Sequence, residues 1–107
     1  MRANLLRHIV LFKFKDETSS VEMKKIQESF MDLSRKIHEI QDMEWGINIS
    51  PENFHQGFTH CFILSFESKE DLAQYQINPD HLEFQKILIP AMEKVFVVDY
   101  WANPSRH

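Results

Sequence analysis

The sequence predicts an α+β domain: an antiparallel sheet with its helices packed on one face. Three observations carry that expectation. Leu6 to Lys15 alternates at period two, with Leu6, His8, Val10, Phe12 and Phe14 on one side and Arg7, Ile9, Leu11, Lys13 and Lys15 on the other. Met23, Ile26, Phe30, Leu33, Ile37 and Ile40 then fall three, four, three, four and three residues apart, the spacing of one helical face against a core. The whole chain reads strand, helix, strand, strand, helix, strand, and short polar stretches separate the elements.

Each element has a local reason. The first strand presents a wholly apolar face interrupted by a single histidine, His8. Ser19 and Glu22 stand at capping-box spacing, so the first helix starts there. Trp45, Ile47 and Ile49 alternate with Glu44, Gly46, Asn48 and Ser50, which predicts a second strand ending before Pro51. The polar stretch from Pro51 to Gly57 is a loop. Thr59 to Glu67 predicts a third strand, with His60, Phe62, Leu64 and Phe66 on one side and Cys61, Ile63 and Ser65 on the other. Ser68 and Asp71 open the second helix. Pro79 lacks an N–H and collides with the preceding turn, so this helix should stop near Ile77 and restart with Asn78 as cap. Pro90 interrupts again, and Val95 to Ala102, rich in β-branched and aromatic residues, is the fourth strand.

This order fits a ferredoxin-like split βαβ arrangement with the first and third strands side by side in the middle. Right-handed crossovers are expected to make those central strands parallel. His8 and His60, each near the start of its strand and on the apolar face, would then lie at one end of the sheet. The second helix would return His81 over them. On an unbroken helix Tyr75 and His81 would be about 240° apart; the break at Pro79 allows both to face one place. The same stretch also reads as a helix stop followed by a capping or packed histidine.

Length and composition exclude several classes. The chain of 107 residues is expected to form a single domain over residues 1–107. Its lone cysteine, Cys61, provides no intrachain disulfide framework and suits a reducing compartment, so a cytoplasmic location is expected. Net charge is −4 and the basic residues are scattered among acids, which argues against nucleic-acid binding. The start of the chain imitates a signal peptide for two leucines before Arg7 interrupts it, and no stretch is long enough to cross a membrane. A metal site lacks support, because no His-Glu-x-x-His pattern occurs. Gly46 and Gly57 are the only glycines, so there is no phosphate-cradling loop. Cys61 and His60 are adjacent on a strand, point to opposite faces and cannot form a nucleophile dyad. His38, His55 and His107 read as surface or tail positions.

Taken together, His8-Ile-Val-Leu-Phe-Lys-Phe-Lys, Gly57-Phe-Thr-His60, Asn78-Pro-Asp-His81 and Val98-Asp-Tyr100 resemble the stress-responsive A/B barrel (Dabb) family from Arg7 to Ala102. The resemblance implies a ferredoxin-like subunit whose sheet pairs with that of a second copy to make a dimeric α/β barrel. The family includes a plant polyketide cyclase that needs no cofactor. By that resemblance Tyr75 and His81 match its catalytic pair, and His8 and His60 match its ligand-binding pocket histidines. The sequence departs from the cyclase at Asn78, where the cyclase has another histidine.

Histidine titrates near neutrality, and with a tyrosine hydroxyl it can remove a proton beside a carbonyl and stabilise the enolate oxygen. The expected function is binding of an apolar, carbonyl-bearing small molecule, with cofactor-free acid–base chemistry in which His81 is the base and Tyr75 the donor. The same pattern also reads as a stress-related structural or self-assembling barrel. By fold analogy it further reads as a cofactor-independent monooxygenase. A homodimer is expected through the sheet face that carries Ile9, Leu11, Cys61 and Ile63, which is too apolar to stay wet.

Overall fold

The computed structural model describes residues 4–51 and 54–103. The leader-like start at residues 1–3, two residues of the Pro51–Gly57 loop and the tail residue His107 lie outside them. The elements are β1 (Leu6–Phe14), α1 (Ser20–Lys36), β2 (Asp42–Ile47), β3 (His60–Phe66), α2 (Lys69–Ile77), α3 (Pro79–Leu88), a 3-10 turn (Ile89–Ala91) and β4 (Met92–Trp101). The sheet order is β2-β3-β1-β4 and every neighbouring pair is antiparallel. This is the ferredoxin-like α+β arrangement.

The expected parallel pairing of the two central strands is corrected. Leu6 pairs with Phe66, His8 with Leu64 and Phe12 with His60, so β1 and β3 run in opposite directions. Crossover handedness aligns β1 with β2 and β3 with β4. Because β2 and β3 form an antiparallel hairpin, β3 must oppose β1. His8 and His60 are therefore separated by four strand positions, roughly 13 Å at about 3.3 Å per residue.

The core lies between one sheet face and the helices. Leu6, Val10, Phe12, Phe14, Phe62, Leu64 and Phe66 bury that face, and Ile26, Phe30 and Leu33 of α1 press onto it with Ile37 and Ile40 just beyond the helix. Phe30 stacks on Phe62 at 4.3 Å and on Phe84 of α3 at 4.7 Å, which ties both helical layers to the sheet. Ser19 caps α1 by accepting from the Glu22 N–H, and Ser68 caps α2 by accepting from Asp71.

The other sheet face has no helical cover. Ile9, Leu11, Cys61 and Ile63 are half-buried there, and Phe96 and Tyr100 of β4 are exposed beside them. A concavity of about 660 Å³ opens on that side, with Leu11, Cys61, Ile63 and Phe96 among its lining residues. Among the described residues no helix is long and apolar enough to cross a membrane.

Candidate functional site

Asn78 ends α2 and begins α3, and its extended backbone (φ −63°, ψ 134°) is the conformation favoured before a proline. In a continuous helix the Gln76 carbonyl would accept from the N–H of residue 80. Here the Asp80 N–H donates instead to the Asn78 side-chain oxygen at 2.9 Å, and Pro79 has no N–H to offer. The freed Gln76 carbonyl receives the Nδ1–H of His81 at 3.1 Å. A carbonyl can only accept, so the proton resides on Nδ1 and the Nε2 lone pair of His81 is available.

The rings of Tyr75 and His81 lie 4.3 Å apart and tilted by 35°. His8, from the buried face of β1, sits edge-on to Tyr75 at 5.9 Å. Its Nδ1 donates to the Asp99 carboxylate of β4 at 2.5 Å, so its Nε2 is likewise the free nitrogen. His8, Tyr75 and His81 form the polar end of a cleft of about 420 Å³ between α3 and the β1–β4 half of the sheet. Phe30, Phe84, Leu88, Met92, Val95 and Val97 make its apolar walls. Among the described residues the Tyr75 hydroxyl makes no hydrogen bond, and no fully occluded side-chain oxygen or nitrogen lacks a partner, so the residual exposure of that hydroxyl is to the cleft.

Burial sets the proton inventory. Tyr75 is 1% exposed, and burial pushes its phenol far above the usual 10, so it remains a donor. Burial also lowers His81 below the ordinary 6.5; its bond to Gln76 opposes that shift and the neighbouring His8 adds to it. At neutral pH His81 is an uncharged imidazole with a free lone pair.

The structure thus brings three of the four expected residues together and leaves His60 out. His60 lies at the other end of the sheet, stacked on Phe12 at 5.5 Å and on Trp45 at 6.2 Å. Its two nitrogens are engaged: Gln27 Nε2–H donates to its Nε2 at 2.7 Å, and its Nδ1–H donates to the Thr59 hydroxyl at 2.8 Å. The expected convergence of three histidines is corrected to two, because the central strands are antiparallel. Asp99 entered the sequence reading only as the middle of Val98-Asp-Tyr100 and was given no role in the site. The signal was a carboxylate two residues beyond Val97, on the side of β4 that carries Val95 and Val97 and opposite His8. Cys61 sits on the opposite sheet face from His60, where burial and Glu44 push its thiol up and away from reactivity. His38 and His55 are exposed, as expected.

Residues 6–102 match the sequence family described as Stress responsive A/B Barrel Domain. The chain belongs to the stress-responsive A/B barrel family. One relative is the stress-response A/B barrel domain-containing protein HS1 of Arabidopsis thaliana, 38% identical over 95 residues, which are 89% of this chain and 87% of HS1. Olivetolic acid cyclase of Cannabis sativa is 30% identical over 95 residues, 89% of this chain and 94% of the cyclase. The solved structure of the hydroxynitrile lyase from Passiflora edulis superposes with a TM-score of 0.90 at 30% identity, covering 99% of this chain and 100% of the lyase. A ferredoxin-like protein of unknown function from Bacteroides fragilis, 29% identical with a TM-score of 0.73 over 92% of this chain and 96% of its own, is described as dimeric.

Proposed function

We propose that this A/B barrel protein binds an apolar, carbonyl-bearing small molecule in the α3–sheet cleft and performs cofactor-free acid–base chemistry on it. The observation that carries the reading is the Tyr75–His81 pair, 4.3 Å apart at the polar end of an otherwise apolar cleft. His81 Nε2 takes a proton from the carbon beside a carbonyl, and the C–H electron pair moves into an enolate whose oxygen accepts from the Tyr75 hydroxyl. The enolate carbon then forms a C–C bond to a second carbonyl. That carbonyl oxygen takes the proton back from His81, and no electron acceptor is needed. His8, held by Asp99, orients the polar end of the ligand. Two similar proteins are named for reactions of small molecules, a cyclase and a lyase, which supports a reaction-bearing cleft over a purely structural one.

The proposal includes a cytoplasmic homodimer. Phe96 is 52% and Tyr100 43% exposed on the sheet face that no helix covers, beside Ile9, Leu11 and Ile63, and a second copy of that face is the apolar surface that fits it.

The decisive experiment is thermal unfolding of the wild type, Tyr75→Phe and His81→Ala with and without a panel of apolar β-dicarbonyl compounds. The wild type should be stabilised by at least one compound, and both variants should lose most of that stabilisation while remaining folded. A wild type that no compound stabilises, together with a large fall in Tm for His81→Ala, would leave a non-enzymatic structural barrel.

A further inference from the structure

We propose that Gln85 is a second polar station in the cleft, whose side-chain amide holds a second carbonyl or hydroxyl oxygen of the ligand about one helical turn from the Tyr75–His81 pair. The inference rests on the cleft being a small-molecule site. It adds the residue that makes the site prefer a doubly oxygenated molecule to a singly oxygenated one.

The lining of the cleft divides into two parts. His8, Tyr75, Gln76 and His81 gather at the polar end, and every other described lining residue except Gln85 is apolar. Gln85 follows His81 by four residues on α3, so the two side chains stand on one helical face with Cβ atoms roughly 5–6 Å apart. Phe84 and Leu88 line the cleft from the same helix. A helix face that closes an apolar wall calls for an apolar residue at this position. A glutamine that served only to solvate α3 would belong on its outer side, where Glu83 and Lys86 are exposed and pair with each other at 2.6 Å. Gln85 is half-buried instead.

Its amide is uncommitted. Among the described residues the Gln85 side chain makes no hydrogen bond, and no fully occluded side-chain oxygen or nitrogen lacks a partner, so solvent reaches the amide. The Gln85 backbone carbonyl is already used, as acceptor for the Ile89 N–H at the end of α3. Val10 and Val97, which pair across β1 and β4, line the sheet side of the cleft and offer the amide no partner.

Water can satisfy such an amide only while the cleft holds water. A ligand with an apolar body displaces it and strands both the N–H and the carbonyl of Gln85, which is costly unless the ligand supplies a partner. A second oxygen at this position removes that penalty. The amide both donates and accepts, so it takes a ketone or ester oxygen through its Nε2–H and a hydroxyl through its Oε1. In the C–C bond-forming step the second carbonyl is the electrophile, and Gln85 gives it a donor. The Nε2–H draws charge onto the carbonyl oxygen as the enolate carbon attacks; the C=O π pair passes to that oxygen, which then takes its proton from His81.

The test uses the full chain and three matched probes: a medium-chain methyl ketone, the same chain with a second keto group two carbons along, and the same chain with a hydroxyl in place of that second keto group. Each is titrated by calorimetry at neutral pH. The two doubly oxygenated probes should bind the wild type about tenfold more tightly than the monoketone. Gln85→Met keeps the side chain's length and helix propensity but has no amide, and should melt close to the wild type. In that variant the monoketone should bind more tightly and the other two more weakly, so that the gap closes from both sides. In the wild type the Gln85 side-chain amide protons should move downfield with the diketone and not with the monoketone. Equal affinity of the wild type for all three probes overturns the role of Gln85 and leaves the binding reading intact. An advantage of the doubly oxygenated probes that persists in Gln85→Met, or a variant that weakens all three alike, overturns the assignment to Gln85. Binding of none of the three overturns the binding reading and this inference together.

Discussion

His81 Nδ1 donates to the Gln76 carbonyl oxygen across the break between α2 and α3, at 3.1 Å. That bond exists because the Asn78 side chain diverts the Asp80 N–H, which would otherwise satisfy the same carbonyl. Asn78 therefore positions His81 without touching the cleft. Asn78→Ala should lose roughly 1 kcal/mol of stability as a missing helix cap. It should also weaken ligand binding, because the Asp80 N–H returns to compete for Gln76. Urea unfolding measures the first effect, and nitrogen chemical shifts of the His81 ring measure the second: a single Nδ1–H tautomer in the wild type and a mixture in the variant.

Stability should fall on the acid side of neutrality. Burial depresses both His60 and His81 below 6.5 in the folded chain, whereas in the unfolded chain they titrate at the ordinary value. The unfolded state thus binds the protons first. The contribution of both groups is full above about pH 6.5 and is lost as pH drops through their depressed folded values. The Tm should be level at pH 7 to 8 and decline from about 6.5 downward, and His60→Gln should flatten part of that decline. A Tm that stays level down to about pH 5 contradicts the assignment.

His60 and His8 should separate cleanly in mutagenesis. The bond chain from Gln27 through His60 to Thr59 satisfies both ring nitrogens and staples α1 to the start of β3. His60→Ala strands the Gln27 amide beside the Phe12 and Trp45 rings and should cost about 1–3 kcal/mol. It should leave ligand binding in the cleft unchanged. His8→Ala should abolish much of that binding at a smaller cost in stability. Denaturant unfolding paired with ligand titration distinguishes them, and equal loss of binding in both variants would place His60 in the site after all.

The contrast between those two histidines marks how far the sequence could be read. Alternation from Leu6 to Phe14 identified the buried face of β1, the Ser19 and Ser68 caps located both helix starts, and Pro79 located the break. These are local signals, set by backbone sterics and side-chain period. Strand direction is not local. His60 was misplaced because its position relative to His8 depends on the β2–β3 hairpin as well as on the crossovers. Asp99 was given no role for a related reason: only the β1–β4 register, which pairs it with His8, gives its carboxylate a partner.

Phe96→Asp should test the homodimer. Phe96 sits opposite Leu11 on the uncovered sheet face and is 52% exposed in the isolated chain, so a carboxylate there is harmless to a monomer. Buried against a second apolar sheet it is an unpaired charge, whose penalty exceeds what one lost aromatic contact would account for. Sedimentation at micromolar concentration should give twice the chain mass for the wild type and the chain mass for the variant. Equal masses for the two proteins would move the interface elsewhere.

Pro79 sets the helix break, but packing maintains it. Replacing it with alanine restores an N–H that could join α2 to α3 and add a net hydrogen bond of about 1 kcal/mol. Joining them would rotate α3 and pull Phe84 and Leu88 from the core, where both are buried. Each burial is worth roughly 1.5–3 kcal/mol, so the packed arrangement wins over the continuous helix. Pro79→Ala should therefore keep the break and the His81–Gln76 bond. It should lose only about 0.4–1 kcal/mol, through the greater freedom of the unfolded chain. Circular dichroism should show no gain in helix, and ligand-induced stabilisation should survive. Phe84→Ala removes the anchor, should cost about 3–5 kcal/mol and should abolish ligand-induced stabilisation even where the chain remains folded. A Pro79→Ala variant with added helix and no ligand response would mean that the proline, not the core, holds His81 against Tyr75.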